Sequence, residues 1–152
     1  MARQKITTFL WYDTQAEEAA RFYVSLFQDS KITSVMPDPT GAPFVVEFQL
    51  AGVPYIALNG GPHFKFNEAI SLSVDCEDQV EVDRLWEKLC EGGTPSQCGW
   101  LKDKYGLSWQ IVPAVLPKLI ADPLRGGAVM QALMKMTKLD SQKLQDAYDG
   151  RD

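Results

Sequence analysis

Cys98-Gly99-Trp100-Leu101-Lys102-Asp103-Lys104-Tyr105-Gly106-Leu107-Ser108-Trp109-Gln110-Ile111-Val112-Pro113 reads as a strand, a tight turn and a second strand. Gly106 supplies the positive φ that such a turn needs. Pro113 has no N–H to give a sheet ladder, so the second strand stops there. Along that strand Ser108, Gln110 and Val112 point one way, and Leu107, Trp109 and Ile111 the other. One face is small and polar and the other is large and apolar. Gln110, between Ser108 and Val112 on the smaller-residue face, is the first functional candidate.

Working outward, the same plan is expected twice. Residues 6–12 are β-branched and aromatic, a strand in which Thr8, Leu10 and Tyr12 share one face and Thr7, Phe9 and Trp11 the other. Thr14-Gln15-Ala16-Glu17 has capping-box spacing. Ala19, Phe22, Tyr23, Leu26 and Phe27 then form a core-facing helical stripe. Residues 31–36 and 44–50 read as strands, and Ala51-Gly52 turns the second into residues 53–58 as a hairpin. The order restarts with a strand in which Ile70, Leu72 and Val74 alternate with Ser71, Ser73 and Asp75. A helix with Val82, Leu85, Trp86 and Leu89 on one face follows, then a short strand near Pro95 and the opening hairpin. Strand, helix and three strands thus recur at a period of roughly 50–65 residues, the length of a duplicated module.

The expected fold is α+β. Paired βαβββ modules, at about 6–58 and 69–113, form a curved, mostly antiparallel sheet with helices on its outer face. Residues 114–152 add C-terminal helices, with breaks at Asp122-Pro123 and Gly126-Gly127 and a last helix capped by Asp140. One domain is expected for 152 residues.

Composition excludes several functions. The net charge is −5 and no basic run occurs, which argues against nucleic acid as a partner. No apolar stretch is long enough to span a membrane. The opening residues lack a signal peptide's apolar segment. Three cysteines, widely spaced and without a C-x-x-C, fit a reducing cytoplasm and no disulfide framework.

The opening stretch resembles the PhnB-like branch of the glyoxalase/vicinal oxygen chelate superfamily, whose members are often labelled demethylubiquinone methyltransferase-like. The resemblance extends to Phe9-Leu10-Trp11-Tyr12, the helix of residues 15–23, Ala57-Leu58-Asn59-Gly60-Gly61-Pro62 and the tail of residues 129–134. It implies paired βαβββ modules, usually in a homodimer. It also implies a place to look for a divalent metal, on the concave sheet face near Thr8, Ala57, Ala69 and Gln110. Alanine cannot ligate, and threonine and glutamine offer weak neutral oxygens, so no metal and no cofactor are expected.

Other chemistry is thinly represented. No Gly-rich strand-to-helix turn marks a nucleotide cofactor. Cys98 lies near Lys102 and Lys104, but no histidine is placed to activate it, and a packed thiol is the expectation. His63, the one histidine, is expected in an exposed loop. Asn59-Gly60-Gly61 either presents N–H groups to an anion or ends a strand. Asp103 is expected at a solvated hairpin edge, and Trp11 and Trp109 on the helix side of the sheet. The candidate ligand-binding residues are Thr8, Asn59, Ser71, Trp100, Ser108 and Gln110, with no catalytic residue assigned. The expected function is metal-independent binding of a small polar molecule. An enzyme acting on a quinone-like or antibiotic-like substrate and a dimeric interaction module without ligand remain open.

Overall fold

The computed structural model describes residues 4–151. The chain divides between Phe66 and Asn67 into two compact units. The first holds β1 (Thr8–Tyr12), α1 (Ala16–Val24), β2 (Lys31–Pro37), β3 (Pro43–Leu50) and β4 (Val53–Asn59). The second repeats the plan with β5 (Ser71–Cys76), α2 (Gln79–Cys90), β6 (Thr94–Pro95), β7 (Trp100–Lys102) and β8 (Ser108–Pro113). It continues with α3 (Leu116–Ile120), α4 (Gly126–Leu133) and α5 (Ser141–Asp149). Each module closes its own four-stranded sheet, in the orders β1-β4-β3-β2 and β5-β8-β7-β6. In both, the first and last strands pair parallel and the other neighbours pair antiparallel. The βαβββ plan expected from the sequence is therefore present twice.

In the first unit α1 packs on β2, β3 and β4. Val46, Phe48 and Leu50 of β3 are buried, alternating with less buried Val45, Glu47 and Gln49. The hairpin between β3 and β4 turns at Ala51 and Gly52, with φ of 48° and 82°, the two positive values of a type I′ turn. The helix buries Ala16, Ala19, Ala20 and Tyr23; Leu26 of the expected stripe is also buried just beyond it, while Phe22 and Phe27 are only half-buried. Its N-terminus corrects a second expectation. The capping box does not form, since Gln15 is the N-cap and makes no side-chain cap bond. Asn59 at the end of β4 takes over. Its Oδ1 accepts from Ala16 N–H at 2.8 Å and its Nδ2 donates to the Pro43 carbonyl at 2.9 Å.

In the second unit α2 packs on β5, β7 and β8. Asp78 caps it, accepting from Glu81 N–H at 2.9 Å. Val82, Leu85 and Leu89 are fully buried on its inner face, each contributing roughly 1.5–3 kcal/mol of apolar burial. The C-terminal helices close a cluster of Leu116, Leu119, Val129, Leu139 and Leu144. Asp140 caps α5 as expected, accepting from Lys143 N–H at 3.0 Å. Gly126-Gly127 is not a break: α4 begins there, because Gly126 lies so close to the Ile120 carbonyl that no larger residue fits. Among the described residues no helix is long and apolar enough to cross a membrane.

Candidate functional site

The β7–β8 hairpin fixes the site through its turn. Asp103 is 3% exposed, not the solvated edge residue expected. Its Oδ1 accepts from Tyr105 N–H at 2.8 Å and Leu107 N–H at 3.1 Å, and its Oδ2 accepts from Trp109 Nε1–H at 2.9 Å. One carboxylate thus ties the turn backbone to the core tryptophan of the strand that follows. Gly106, at φ 88°, closes the turn with its N–H on the Asp103 carbonyl. These contacts lock the register in which Trp100 faces Gln110 and Lys102 faces Ser108.

Directly opposed residues share a sheet face. Leu107, Trp109 and Ile111 are fully buried on the α2 side. The opposite, open face therefore carries two rows that cross the strands. Thr94, Lys102, Ser108 and Ser71 form one row. Trp100, Gln110 and Ser73 form the next. Gln110 Nε2 donates to Ser71 Oγ at 2.9 Å. A groove of about 640 Å³ lies over this face, lined by Trp100, Lys102, Ser108, Thr94, Cys98 and Glu68 among others. Lys102 Nζ is ion-paired with the Glu68 carboxylate, and the hydrogen bond and charge of Lys102 hold the Glu68 carboxyl below its ordinary value.

Ser108 is the exceptional member. It is 1% exposed, yet its Oγ has no hydrogen-bond partner among the described residues. A buried hydroxyl left unpaired costs about 1–3 kcal/mol, and native structures keep few such groups.

Four of the six candidate residues, Ser71, Trp100, Ser108 and Gln110, thus stand together on one face. Thr8 and Asn59 belong to the first unit. Thr8 shares its face with Leu10 and Tyr12, which are buried toward α1, and Tyr12 Oη bonds Tyr23 Oη at 3.1 Å. That overturns the placement of Thr8 on the open face. By the same parity Trp11 is on the open face and not on the helix side. There it donates Nε1–H to the Gly61 carbonyl at 2.9 Å and meets the Phe64 ring edge-on at 4.9 Å. Trp109 is on the helix side as expected.

Asn59 spends both ends of its amide on the fold. Gly60 and Gly61 donate to the Tyr12 and Asp13 carbonyls, so this segment ends a strand. Of the positions the resemblance assigned to metal, Ala57 is fully buried on the helix side and Ala69 precedes β5. His63 is exposed.

Sequence reasoning missed Lys102 and Glu68. Lys102 was findable, because it lies two residues beyond Trp100 on one strand and so shares its face. It also missed a second groove of about 390 Å³ on the first sheet, where Thr7, Thr33, Glu47 and Gln49 gather. Cys98 is half-buried, and its N–H and that of Gly99 donate to the Met136 and Thr137 carbonyls at 2.8 Å.

The model of a family described as 3-demethylubiquinone-9 3-methyltransferase matches residues 4–112. Among solved structures, a Bacillus cereus PhnB protein bearing the same methyltransferase label is 36% identical over 73% of this chain and 100% of its own, with a TM-score of 0.69. The fosfomycin resistance protein FosX from Mesorhizobium loti is 12% identical, covers 80% of this chain and 100% of its own, and has a TM-score of 0.59. A FosX from Listeria monocytogenes, solved with Mn(II) and a dihydroxypropylphosphonic acid, is 12% identical over 78% of this chain and 98% of its own, with a TM-score of 0.57. No curated protein sequence matches the chain.

Proposed function

The chain belongs to the PhnB-like, 3-demethylubiquinone-9 3-methyltransferase family of the glyoxalase/vicinal oxygen chelate superfamily, and from that premise we propose that it binds a small polar molecule, without a metal, on the open face of its second sheet. The observation that carries this reading is Ser108. An unpartnered hydroxyl at 1% exposure on the wall of a groove is a hydrogen-bonding position that a ligand completes. Gln110 and Ser71, joined to each other beside it, add further amide and hydroxyl capacity.

The donor set supports metal independence. The open face of the second sheet offers the neutral oxygens of Ser71, Ser73, Ser108 and Gln110, and the groove adds one carboxylate, Glu68, engaged by Lys102, and one thiol, Cys98. Among the described residues no three His, Cys, Asp or Glu side chains gather as a metal centre needs. Neutral hydroxyl and amide oxygens with a single ion-paired carboxylate and a single thiol are a poor set for a divalent cation, which draws on several carboxylate, imidazole or thiolate ligands. The family label names a methyltransferase. The strand-to-helix turns here, residues 13–15 and 77–78, contain no glycine, so neither has the backbone cradle common in nucleotide-cofactor folds.

A melting-temperature screen against small polar metabolites tests the reading. The expected result is a ligand-dependent rise that Ser108→Ala or Gln110→Ala abolishes. A rise that both variants retain would place the site elsewhere, and stoichiometric metal in untagged protein would overturn metal independence. The reading also takes the chain as a cytoplasmic homodimer, which light scattering tests for assembly.

A further inference from the structure

The groove on the second sheet contains a competitor of its own. Lys102 is the one cation among its named lining residues, and its partner Glu68 comes from the segment just before β5. Their side chains are 41% and 61% exposed, and ion pairs so exposed are weak and readily exchanged. Directly across the β7–β8 ladder from Lys102 stands Ser108, with its buried, unpaired Oγ. A neutral hydroxyl group cannot exchange with Glu68 on Lys102 without leaving the ammonium unpaired. A carboxylate can do so, and it also accepts from Ser108.

Trp100 sets the size of the body behind that carboxylate. It precedes Lys102 by two residues on β7 and lines the same groove. Two residues along a strand span about 6.7 Å, the reach of one six-membered ring attached to a carboxylate. The indole offers that ring an aromatic partner.

We propose that the ligand of this groove is a small aryl carboxylate, whose carboxylate replaces Glu68 on Lys102 and takes the Ser108 hydroxyl while its ring packs against Trp100. The proposal rests on the reading of this face as a small-molecule site and names the ligand class. Glu68 is then an internal stand-in for the ligand. It holds Lys102 in place when the groove is free and lowers apparent affinity by competing for it.

The test is an amide-resolved NMR titration of the full chain with benzoate and with benzamide, its neutral isostere. Benzoate is expected to shift the Trp100, Ser108 and Gln110 signals, with an affinity about tenfold above that of benzamide. Glu68→Gln is expected to tighten benzoate about threefold or more and to leave benzamide unchanged, and Lys102→Met to bring benzoate down to the benzamide level. The unperturbed part of each variant's spectrum reports that it is folded. Equal binding of benzoate and benzamide at these residues would overturn the carboxylate proposal and leave the small-molecule site standing. If neither probe, nor any neutral fragment of similar size, shifts these signals, both the proposal and the reading beneath it fall. Glu68→Gln weakening benzoate would overturn the competitor role.

Discussion

Asp103→Asn is the sharpest test of how the site-bearing hairpin is built. The substitution keeps the size and shape of the side chain. An asparagine carbonyl still accepts from Tyr105 and Leu107 N–H, as Asp103 Oδ1 does at 2.8 and 3.1 Å. Its NH2 group then faces Trp109 Nε1–H, which now donates at 2.9 Å to a carboxylate oxygen. Two donors meet, and flipping the amide merely moves the conflict to the two backbone groups. The loss combines a charge-assisted hydrogen bond, about 1.5–3 kcal/mol, with a buried indole N–H left unpaired, so a net cost of about 2–4 kcal/mol is expected. For a chain of this length that lowers Tm by roughly 4–16 °C. Urea denaturation followed by tryptophan fluorescence measures it. Trp109→Phe removes the indole donor, so Asp103→Asn in that background should cost at least about 1 kcal/mol less. A loss under about 0.5 kcal/mol in the parent, or no coupling in the double variant, would refute this account of the turn.

Three further substitutions or conditions probe the fold beneath the site. Asn59→Ala removes the acceptor of Ala16 N–H and the donor to Pro43, and should cost about 2 kcal/mol in urea unfolding; Asn59→Asp keeps the acceptor but turns a carboxylate oxygen against the Pro43 carbonyl, and should cost about as much. Gly60→Ala would set a Cβ 2.3 Å from the Trp11 ring, so it should lose about 2–3 kcal/mol and change near-ultraviolet dichroism, with most of the loss recovered when Trp11 is also cut to Val. Burial, together with the Glu81 charge, pushes the Cys76 thiol from 9.0 up to about 12. Between those values the folded chain holds a proton that the unfolded chain has released. Stability is therefore level in this group below about pH 9, falls as pH rises, and has dropped by about 2 kcal/mol at about pH 10.5. The same pH series on Cys76→Ala should lack that component.

The parts of the fold legible in the sequence are those where one-sided patterns met strong punctuation. β8 alternates Ser, Gln and Val with Trp and Ile, and it runs from just after a glycine turn to Pro113. Its face assignment followed correctly, with Ser71 opposite Ser108 on the face that Gln110 shares. The role of Asn59 was not legible, because it depends on the Ala16 N–H, 43 residues away in sequence, and nothing local marks an amide that serves as another element's cap. Asp103 misled for a related reason. Flanked by two lysines, it looks solvated, and only the return of Trp109 over the turn shows that its carboxylate is buried.

β1 shows the limit most clearly. Thr7-Thr8-Phe9-Leu10-Trp11-Tyr12 gives each face one threonine and two large side chains, so period-2 alternation exists but carries no sign. The choice between faces is made at long range, where the Tyr12 hydroxyl meets that of Tyr23 on α1 while Trp11 bonds the Gly61 carbonyl. Reversing that sign moved Thr8 off the open face, put Thr7 and Trp11 onto it, and exposed a second groove around Glu47. The consequence for function is an asymmetry between the two modules. The second module presents hydroxyls, an amide and one ammonium, exchangeable from Glu68, at its groove, whereas the first presents Glu47 among two threonines and two glutamines. Duplicated backbones have therefore diverged in charge at corresponding faces, and of the two grooves the second combines an exchangeable lysine with a buried hydroxyl unpaired among the described residues. That pairing is what directs the proposed aryl carboxylate to the second module rather than to both.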